Sequence, residues 1–229
     1  MRSKRVSIRR PLAALGLVLI LLAGGGCGAS QSGGQAASVQ QAWLDHLAGK
    51  YGGHFSLEGA SVTADDHPEW PLFLTPASGG EGYLDNYAPR LLREELEMVL
   101  APLAQEALGD CQLYLEPNCP PSALGPESTA EELLTQSQTD YTLFTPASGQ
   151  EEDEARVQAF LDGIRAQGYQ LRYVRVLFMD PSPYVPVERP EGSYCQGEEI
   201  DQCQYWLQAS LEDGGYDLVW REPSQLLGL

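Results

Sequence analysis

The segment LFLTPASGG at residues 72–80 is repeated as LFTPASGQ at residues 143–150. In both copies an apolar stretch leads into Thr-Pro-Ala-Ser-Gly, and a helical pattern of apolar residues follows an acidic residue. Each copy then continues into a second apolar stretch that contains Gln-Leu. The repeat predicts two strand-helix-strand units, at about residues 70–117 and 140–180, whose Thr-Pro-Ala-Ser-Gly turns are structurally equivalent.

One helix is predicted inside each repeated unit. The first covers about residues 88–108, and its Pro102 removes an amide donor, which predicts a kink near residues 98–101. The second covers about residues 151–167, opens with four acidic residues, which favour a helix N-terminus, and is predicted to bury an apolar stripe of Val157, Phe160, Leu161 and Ile164. Since both units return to a strand through a helix, both helices are expected on one face of the sheet. The predicted fold is an α+β two-layer sandwich of ferredoxin-like type.

Further elements flank the repeated units. A capping-box pattern at Ser38 predicts a helix over about residues 38–51, and a hairpin is predicted between Phe55 and Thr75. The proline-rich segment 117–140 is predicted to be a linker with a short helix. The C-terminal residues fit both a helical and a strand-turn-strand pattern, of which the terminal hairpin is favoured.

The N-terminus has the three parts of a secretory signal peptide. A basic segment, residues 2–10, precedes an apolar run of 12 residues from Leu12 to Ala23, and small residues lead to Cys27. A membrane-spanning helix needs about 20 apolar residues, so this run is too short for a permanent anchor. Residues 1–26 are therefore predicted to be removed during export.

At Cys27 the sequence resembles the signal peptides of bacterial lipoproteins. Those peptides carry a Leu-(Ala/Ser)-(Gly/Ala)-Cys box and are cut before the cysteine, whose sulfur receives a diacylglycerol. Here Leu22-Ala23-Gly24 is followed by two further glycines, so Gly24 occupies the position of the expected leucine. The resemblance implies a lipid anchor at Cys27 and a location on the extracytoplasmic face of the cell membrane. Plain secretion after an Ala-x-Ala-like cut is the alternative.

The segment GASQSGGQAA at residues 28–37 has the composition of a flexible tether. The predicted organisation is a signal peptide at 1–26, a lipidated cysteine and tether at 27–37, and a single α+β extracytoplasmic domain at 38–229. A domain of this length is long enough to bury one core.

Two short stretches of the domain carry a second resemblance. LAGKYGGHF at residues 47–55 and GYLDNY at residues 82–87 are similar to stretches of small surface lipoproteins of Gram-positive bacteria that have no assigned function. This resemblance agrees with an extracytoplasmic location and implies no catalytic residues.

The exported part of the chain is predicted to be strongly acidic. The whole chain has 14 basic and 32 acidic residues. Removing residues 1–26 takes away five basic residues and no acidic one, which leaves a formal charge of −23. Nucleic-acid partners are excluded, because their binding depends on Lys and Arg at the phosphates. A charged partner is expected to be cationic or metal-bearing, although a solvated acidic surface is the simpler interpretation.

If Cys27 carries a lipid, four cysteines remain: Cys111, Cys119, Cys195 and Cys203. Four is an even number, and the extracytoplasmic compartment permits disulfides. A predicted strand separates Cys111 from Cys119 and would hold their Cα atoms beyond the limit of about 7 Å for a disulfide. Pairing of 195 with 203 stays open, as does pairing of 119 with 195 together with 111 with 203. The alternative is that all four are reduced thiols in the core.

Two groups of polar residues are candidates for ligand binding. One is a weak Ca²⁺ candidate in a predicted turn, where a solvated turn is the simpler interpretation: Asp65, Asp66, His67 and Glu69. The other is the pair of repeated turns, where free amides at a helix start would hold an anion or a ligand carboxylate, although capping of those amides by Ser78 or Ser148 alone is the simpler interpretation. The candidate residues of these turns are Thr75, Ser78, Thr145 and Ser148. No other metal site and no cofactor is predicted.

The sequence lacks the common catalytic motifs. It has three dispersed histidines and contains no G-x-S-x-G, no C-x-x-C and no phosphate-binding G-x-x-x-x-G-K. The predicted function is that of a lipid-anchored, non-catalytic module that binds an unknown protein, peptide or small ligand, with no hydrolase turnover. The alternatives are a carboxylate-dependent hydrolase of cell-wall or sugar polymers, and an immunity or inhibitor-like protein that blocks a cationic partner.

Overall fold

The computed structural model describes residues 32–59, 61–79, 82–136, 139–181, 201–213 and 215–228. The helices are α1 (Ser32–Tyr51), α2 (Tyr87–Leu91), α3 (Arg93–Leu108), α4 (Ala130–Thr135) and α5 (Gln150–Ala166). The strands are β1 (Phe55–Glu58), β2 (Ser61–Ala64), β3 (His67–Leu72), β4 (Leu74–Pro76), β5 (Tyr83–Asp85), β6 (Gln112–Leu115), β7 (Asp140–Pro146), β8 (Tyr173–Met179), β9 (Cys203–Glu212) and β10 (Gly215–Arg221). This confirms the predicted α+β class.

A five-stranded sheet forms the centre of the fold, in the order β10-β9-β8-β7-β6. β7 and β8 are parallel and are connected through α5, as predicted for the second repeated unit. The other neighbouring strands are antiparallel, and β9 and β10 form the predicted terminal hairpin. The sheet is therefore mixed, and β6 and β10 lie at its two edges.

The two faces of the sheet bury different sets of side chains, because successive residues of a strand point to opposite sides. On one face, Val176 of β8 belongs to the core that contains α3 and α5. On the other, Leu177 and Met179 pack with Trp206 and Leu226. The apolar stripe predicted for α5 is confirmed, since all four of its members are buried: Val157, Phe160, Leu161 and Ile164.

The two repeated turns differ in structure, so their predicted equivalence is wrong and the first unit does not form. Thr75–Gly79 leads from β4 towards β5 in a separate two-stranded sheet, whereas Thr145–Gly149 leads from β7 into α5. Tertiary position explains the difference. β7 is buried between two strands. The first copy follows Pro71, which lacks the amide that a central strand would donate, and its Phe73 is 42% exposed.

Two helix boundaries also differ from the prediction. α1 begins at Ser32, so residues 32–37 of the predicted tether are helical; Gln35, Ala36 and Ala37 are good helix formers, whereas Gly33 and Gly34 disfavour a helix. The helix predicted over residues 88–108 is present in two pieces that are separated at Leu92. Pro102, where the sequence predicts a kink, lies inside α3 with its side chain exposed.

The fully buried stripe of α3 is offset from the stripe that periodicity predicts. The sequence favours Leu92, Leu96, Val99, Leu103 and Ala107, whereas the side chains that are almost completely buried are Leu96, Leu100, Ala104 and Leu108. The predicted residues are mostly half-buried, because α3 contacts both α5 and β6. Two contacts of this kind widen the apolar arc of a helix beyond a single stripe.

The remaining predicted elements are present. Where a two-stranded N-terminal hairpin is predicted, three strands form an antiparallel sheet in the order β1-β2-β3, and the predicted turn at Asp65 and Asp66 joins β2 to β3. The linker contains α4, whose start is capped by Thr129 and Glu132 in a reciprocal capping box. Among the described residues, no helix is both long enough and apolar enough to cross a membrane. The predicted signal peptide and Cys27 lie outside the described residues.

Candidate functional site

A groove runs between α3 and the edge strand β6. Its volume is about 380 Å³ and it is open to solvent on one side. Cys111 and Leu113 line it from the strand side, and one stripe of α3 lines it from the other: Glu94, Glu97, Met98, Ala101, Ala104 and Gln105. These α3 positions follow one another at helical spacing, so they share a face. Met98 is 67% exposed, which leaves apolar surface open to solvent.

The chain reversal after α3 creates the groove. Gly109 ends the helix with a φ of +75°, in the region that favours glycine. The chain then turns back as β6, antiparallel to β7. β6 pairs with β7 alone in the part of the chain that the structure describes, so its other edge faces the groove.

The outer edge of β6 presents backbone groups. The backbone amide of Glu116 donates to the carbonyl of Asp140, the first residue of β7, and so points towards β7. The amide of Leu115 instead donates to Oε1 of Glu97 on α3, at 3.0 Å. Alternate residues of an edge strand direct their backbone groups to opposite sides. The backbone amides and carbonyls of Leu113 and Leu115 therefore point away from β7. A carboxylate thus covers one of the outward amides, a device that protects strand edges.

The groove is electronegative. Glu94 and Glu97 are the charged residues among those that line it, and none of the lining residues is basic. Arg93 approaches Glu97 to 3.5 Å from the buried side of the helix. Glu94 lies in the first turn of α3 and interacts favourably with the helix dipole, whereas Glu97 lies beyond that turn and has Arg93 as its partner. The open side of the groove therefore favours a cationic group.

Cys111 lies at the other end of the groove and is half-buried. Burial, reinforced by the neighbouring Asp110, raises the pKa of the Cys111 thiol to about 11. The thiol is thus protonated at neutral pH and adds an apolar surface, with little nucleophilic character.

We expect Cys111 to alkylate slowly at pH 8, because only about one thiol in a thousand is ionised three units below a pKa of about 11. Its rate with iodoacetamide should keep rising up to pH 11, as followed by peptide-resolved mass spectrometry. A free cysteine in a model peptide serves as the control. A rate that levels off near pH 8.5 would contradict the raised pKa.

A buried carboxylate joins α1 to the rest of the domain. Asp85, at the end of β5, is fully buried. The Tyr51 hydroxyl donates to Oδ1 at 2.6 Å, Lys50 Nζ donates to Oδ2 at 2.7 Å, and the Tyr87 amide donates to Oδ1 at 3.1 Å. His46 Nε2 lies 3.4 Å from Oδ2. Burial and the bond to Asp85 raise the pKa of Tyr51 well above its ordinary value. The carboxylate is saturated, so the cluster serves to dock a helix.

A second buried carboxylate organises the turn after β7. Asp153, in the first turn of α5, is fully buried. It accepts hydrogen bonds from the amides of Ser148 and Gly149, from Arg156 at 2.7 Å and from the Tyr205 hydroxyl at 2.8 Å. Burial and Asp153 raise the pKa of Tyr205 to about 12. The amides that the sequence offers to an anion are therefore bonded to Asp153.

The four residues predicted to line a ligand pocket lie in two different settings. Thr145 donates to the carbonyl of Asp110 at 3.0 Å, and Arg156 donates to the Ser148 hydroxyl at 3.2 Å. Thr75 and Ser78 are exposed beside the β4–β5 pair. The two turns belong to separate sheets, and each has its own local bonding.

The weak metal candidate lies at the turn between β2 and β3. There the side chain of Arg90 contacts Nδ1 of His67 at 2.6 Å and Oε1 of Glu69 at 3.4 Å, and Tyr87 donates to Asp66. Asp65 accepts from the Ser56 hydroxyl. The guanidinium thus pairs with two of the four residues, His67 and Glu69. Within the described ranges, no group of three or more His, Cys, Asp or Glu side chains is placed to hold a metal ion.

Three of the four disulfide candidates lie in the part of the chain that the structure describes, Cys111, Cys119 and Cys203, and of these Cys111 and Cys119 are free thiols. Cys119 and Cys203 are buried, and the Cys119 thiol donates to the carbonyl of Glu116. Burial raises the pKa of Cys119 above its ordinary value. Cys195 lies outside the described residues, so the pairing proposed for it stays a prediction.

Sequence reasoning missed the groove and a buried ionic cluster. Glu116 and Asp140 are almost completely buried, and burial raises the pKa of both carboxyl groups. Arg172 donates to Asp140 at 2.8 Å, and Arg175 lies 4.0 Å from Glu116. The arginine inside the apolar stretch YVRVLFM was a signal for a buried ion pair. The groove had a weaker signal in the sequence, the stripe of Glu94, Met98, Ala101 and Gln105 on one face of α3.

Comparisons with known proteins add little to this geometry. No protein-family model matches the chain, and no curated protein matches it in sequence. Among solved structures, the chain is similar to the crystal structure of a DUF5037 family protein from Ruminococcus gnavus ATCC 29149 at 2.55 Å resolution. The TM-score is 0.38 and the sequence identity 15%, over 83% of this chain and 98% of that chain.

Proposed function

We propose that this protein is a lipid-anchored extracytoplasmic module that binds a polypeptide ligand in the groove between α3 and β6. The observation that carries the proposal is the combination of an open apolar wall with an outward-facing strand edge. Exposed apolar side chains and outward backbone groups are both covered when a polypeptide binds. The Cys111 thiol that lines the groove has a pKa raised to about 11 and therefore little nucleophilic character, so binding is the activity that the groove supports.

The N-terminal sequence supports the membrane anchor. A basic segment, an apolar run and small residues precede Cys27 in the order that an exported lipoprotein requires. α1 follows within a few residues and is fixed to the domain through Asp85. A lipid at Cys27 would therefore hold the folded domain close to the membrane surface.

Replacing Cys27 by alanine is expected to release the protein into the medium or to leave uncleaved precursor, because the thioether that carries the diacylglycerol can no longer form. The measurement is metabolic labelling with a radioactive fatty acid, together with fractionation of cells and medium. Cys111→Ala is the control and should stay labelled. Fatty-acid labelling of the Cys27→Ala protein at the wild-type level would rule out this anchor.

Photo-crosslinking in the native host tests the groove. A photoreactive phenylalanine analogue replaces Met98 inside the groove, or Glu106, which is exposed on α3 and does not line the groove. We expect an adduct with a discrete protein from position 98 and none from position 106. The absence of any adduct from position 98, or equal adducts from both positions, would contradict the proposed function.

The hydrolase alternative has one observation in its favour, the raised pKa of Glu116 and Asp140. Acids with raised pKa values are used as proton donors in catalysis. Each of these two has an arginine partner, however, and neither lines the groove. Turnover of peptidoglycan, glycan or peptide substrates that is abolished by Glu116→Gln would favour the hydrolase over the binding module.

A further inference from the structure

We propose that the ligand of the groove is an extended cationic peptide that adds to β6 as a sixth strand of the central sheet. This inference rests on the proposed function and specifies the class of ligand and the way in which it binds. It follows from three observations: the hydrogen-bonding direction of β6, the length of the groove and the distribution of charge along it.

The backbone of β6 is ready to accept another strand. Leu113 and Leu115 direct their amides and carbonyls away from β7, and in the described part of the chain no strand pairs with that edge. Strand addition to such an edge draws affinity from main-chain hydrogen bonds and specificity from pockets for alternate side chains. One face of α3 lines the groove along the same edge and supplies the surface that such side chains would contact.

The groove has the length of a short strand. From Glu94 to Gln105 the helix rises about 16 Å, at 1.5 Å per residue. A strand covers that distance with about five residues, at roughly 3.3 Å each. Two or three side chains of such a peptide would point towards α3, where Ala101 leaves room for a large apolar group and the exposed Met98 can cover it.

Charge selects among peptides. Glu94 and Glu97 stand at one end of the groove, and the chain as a whole has a formal charge of −18. A Lys or Arg of the peptide at that end would meet the exposed carboxylate of Glu94, and beside it the carboxylate of Glu97, which already pairs with Arg93. On binding, the Leu115 amide would exchange Glu97 for a carbonyl of the peptide, and Glu97 would then accept from the incoming cation. Glu97, which covers an outward amide of β6 in the free protein, thus becomes part of the recognition site.

A second copy of this chain is a poorer occupant of the same edge. Pairing β6 with β6 of another copy would bring two sets of Glu94 and Glu97 into one interface, and their like charges repel. Dimerisation of the protein is therefore an outcome that would overturn the proposal, and sedimentation velocity at several concentrations detects it.

The experiment selects from a library of random heptapeptides on the full-length protein, purified in detergent. We expect the selected peptides to alternate apolar residues with others and to carry Lys or Arg at one end. Methylation of a peptide amide nitrogen that faces β6 should weaken binding at least tenfold, while methylation of the next amide should change it little. Hydrogen exchange at the Leu113 amide should slow in the complex, and exchange at the Tyr114 amide should not.

Two matched variants test the charge requirement. Glu94→Lys should weaken the selected peptides about tenfold, whereas Glu95→Lys, the same change on an exposed neighbour outside the groove, should have little effect. Equal effects of both variants, no selected peptide, or equal effects of methylation at successive amides would overturn the proposal. If crosslinking from position 98 succeeds in those cases, the binding function stands and the strand-addition mode alone is wrong.

Discussion

Replacing Asp85 by alanine is expected to lower the free energy of unfolding by about 3 kcal/mol. The carboxylate is fully buried, and its removal leaves the ammonium group of Lys50 and the hydroxyl of Tyr51 without their shared acceptor. Breaking a buried ion pair from one side costs about 3–5 kcal/mol. The lower end applies here because the Lys50 side chain keeps 18% of its solvent exposure and can recover part of its hydration.

Urea denaturation followed by circular dichroism measures this effect. Asp45→Ala is the matched control, since Asp45 is an exposed acid of α1 and its loss should change stability by less than about 0.5 kcal/mol. Limited proteolysis should cut α1 faster in the Asp85→Ala protein, because the helix loses its docking point. The double variant Asp85→Ala with Lys50→Met should recover part of the stability. Similar stability of the Asp85→Ala and Asp45→Ala proteins would show that the cluster does not dock α1.

Replacing Asp153 by alanine is expected to destabilise the domain by about 3–4 kcal/mol. Four groups lose their acceptor together: the amides of Ser148 and Gly149, the guanidinium of Arg156 and the hydroxyl of Tyr205. The backbone amides cannot move to another partner without opening the turn between β7 and α5. Glu152→Ala is the control, because Glu152 is an exposed acid in the same first turn of α5.

The same substitution should change how Tyr205 titrates. Its pKa of about 12 comes first from burial and then from Asp153, so the Asp153→Ala protein should ionise Tyr205 closer to the ordinary value of 10. Since the folded-state pKa lies above the unfolded one, Tyr205 contributes stability that is present below pH 10 and lost as pH rises through about 12. Absorbance near 295 nm, with Tyr205→Phe to assign the transition, measures the shift. An unchanged titration of Tyr205 in the Asp153→Ala protein would contradict this assignment.

Local sequence was sufficient for elements that combine a clear period with a capping signal. α5 has four acids at its start and an apolar stripe, and all of that stripe is buried. The terminal hairpin and the short linker helix α4 were also predictable, because turn residues and a capping box act within a few positions of the chain. In each case the interactions that decide the structure join residues close in sequence.

The repeated turns show where local sequence fails. Thr-Pro-Ala-Ser-Gly has the same local preferences in both copies, yet one copy follows a central strand and the other a strand of a separate small sheet. The difference depends on which strands are available as neighbours, and Pro71 restricts the choice for the first copy. The groove could not be predicted for the same reason, since it requires β6 to be an edge strand and α3 to lie beside it.

The sequence by itself determined the α+β class, the helix α5 with its buried stripe, the terminal hairpin and the acidic character of the chain. These follow from composition and from interactions within one helix turn or one strand pair. Only the tertiary structure decided that Asp85 and Asp153 are saturated buried acceptors, that the repeated turns separate, and that β6 borders an open groove. The physical reason is that burial and strand order depend on contacts between residues far apart in the chain. Sequence periodicity indicates which residues share a face of one helix or strand, and it does not indicate which distant element packs against that face.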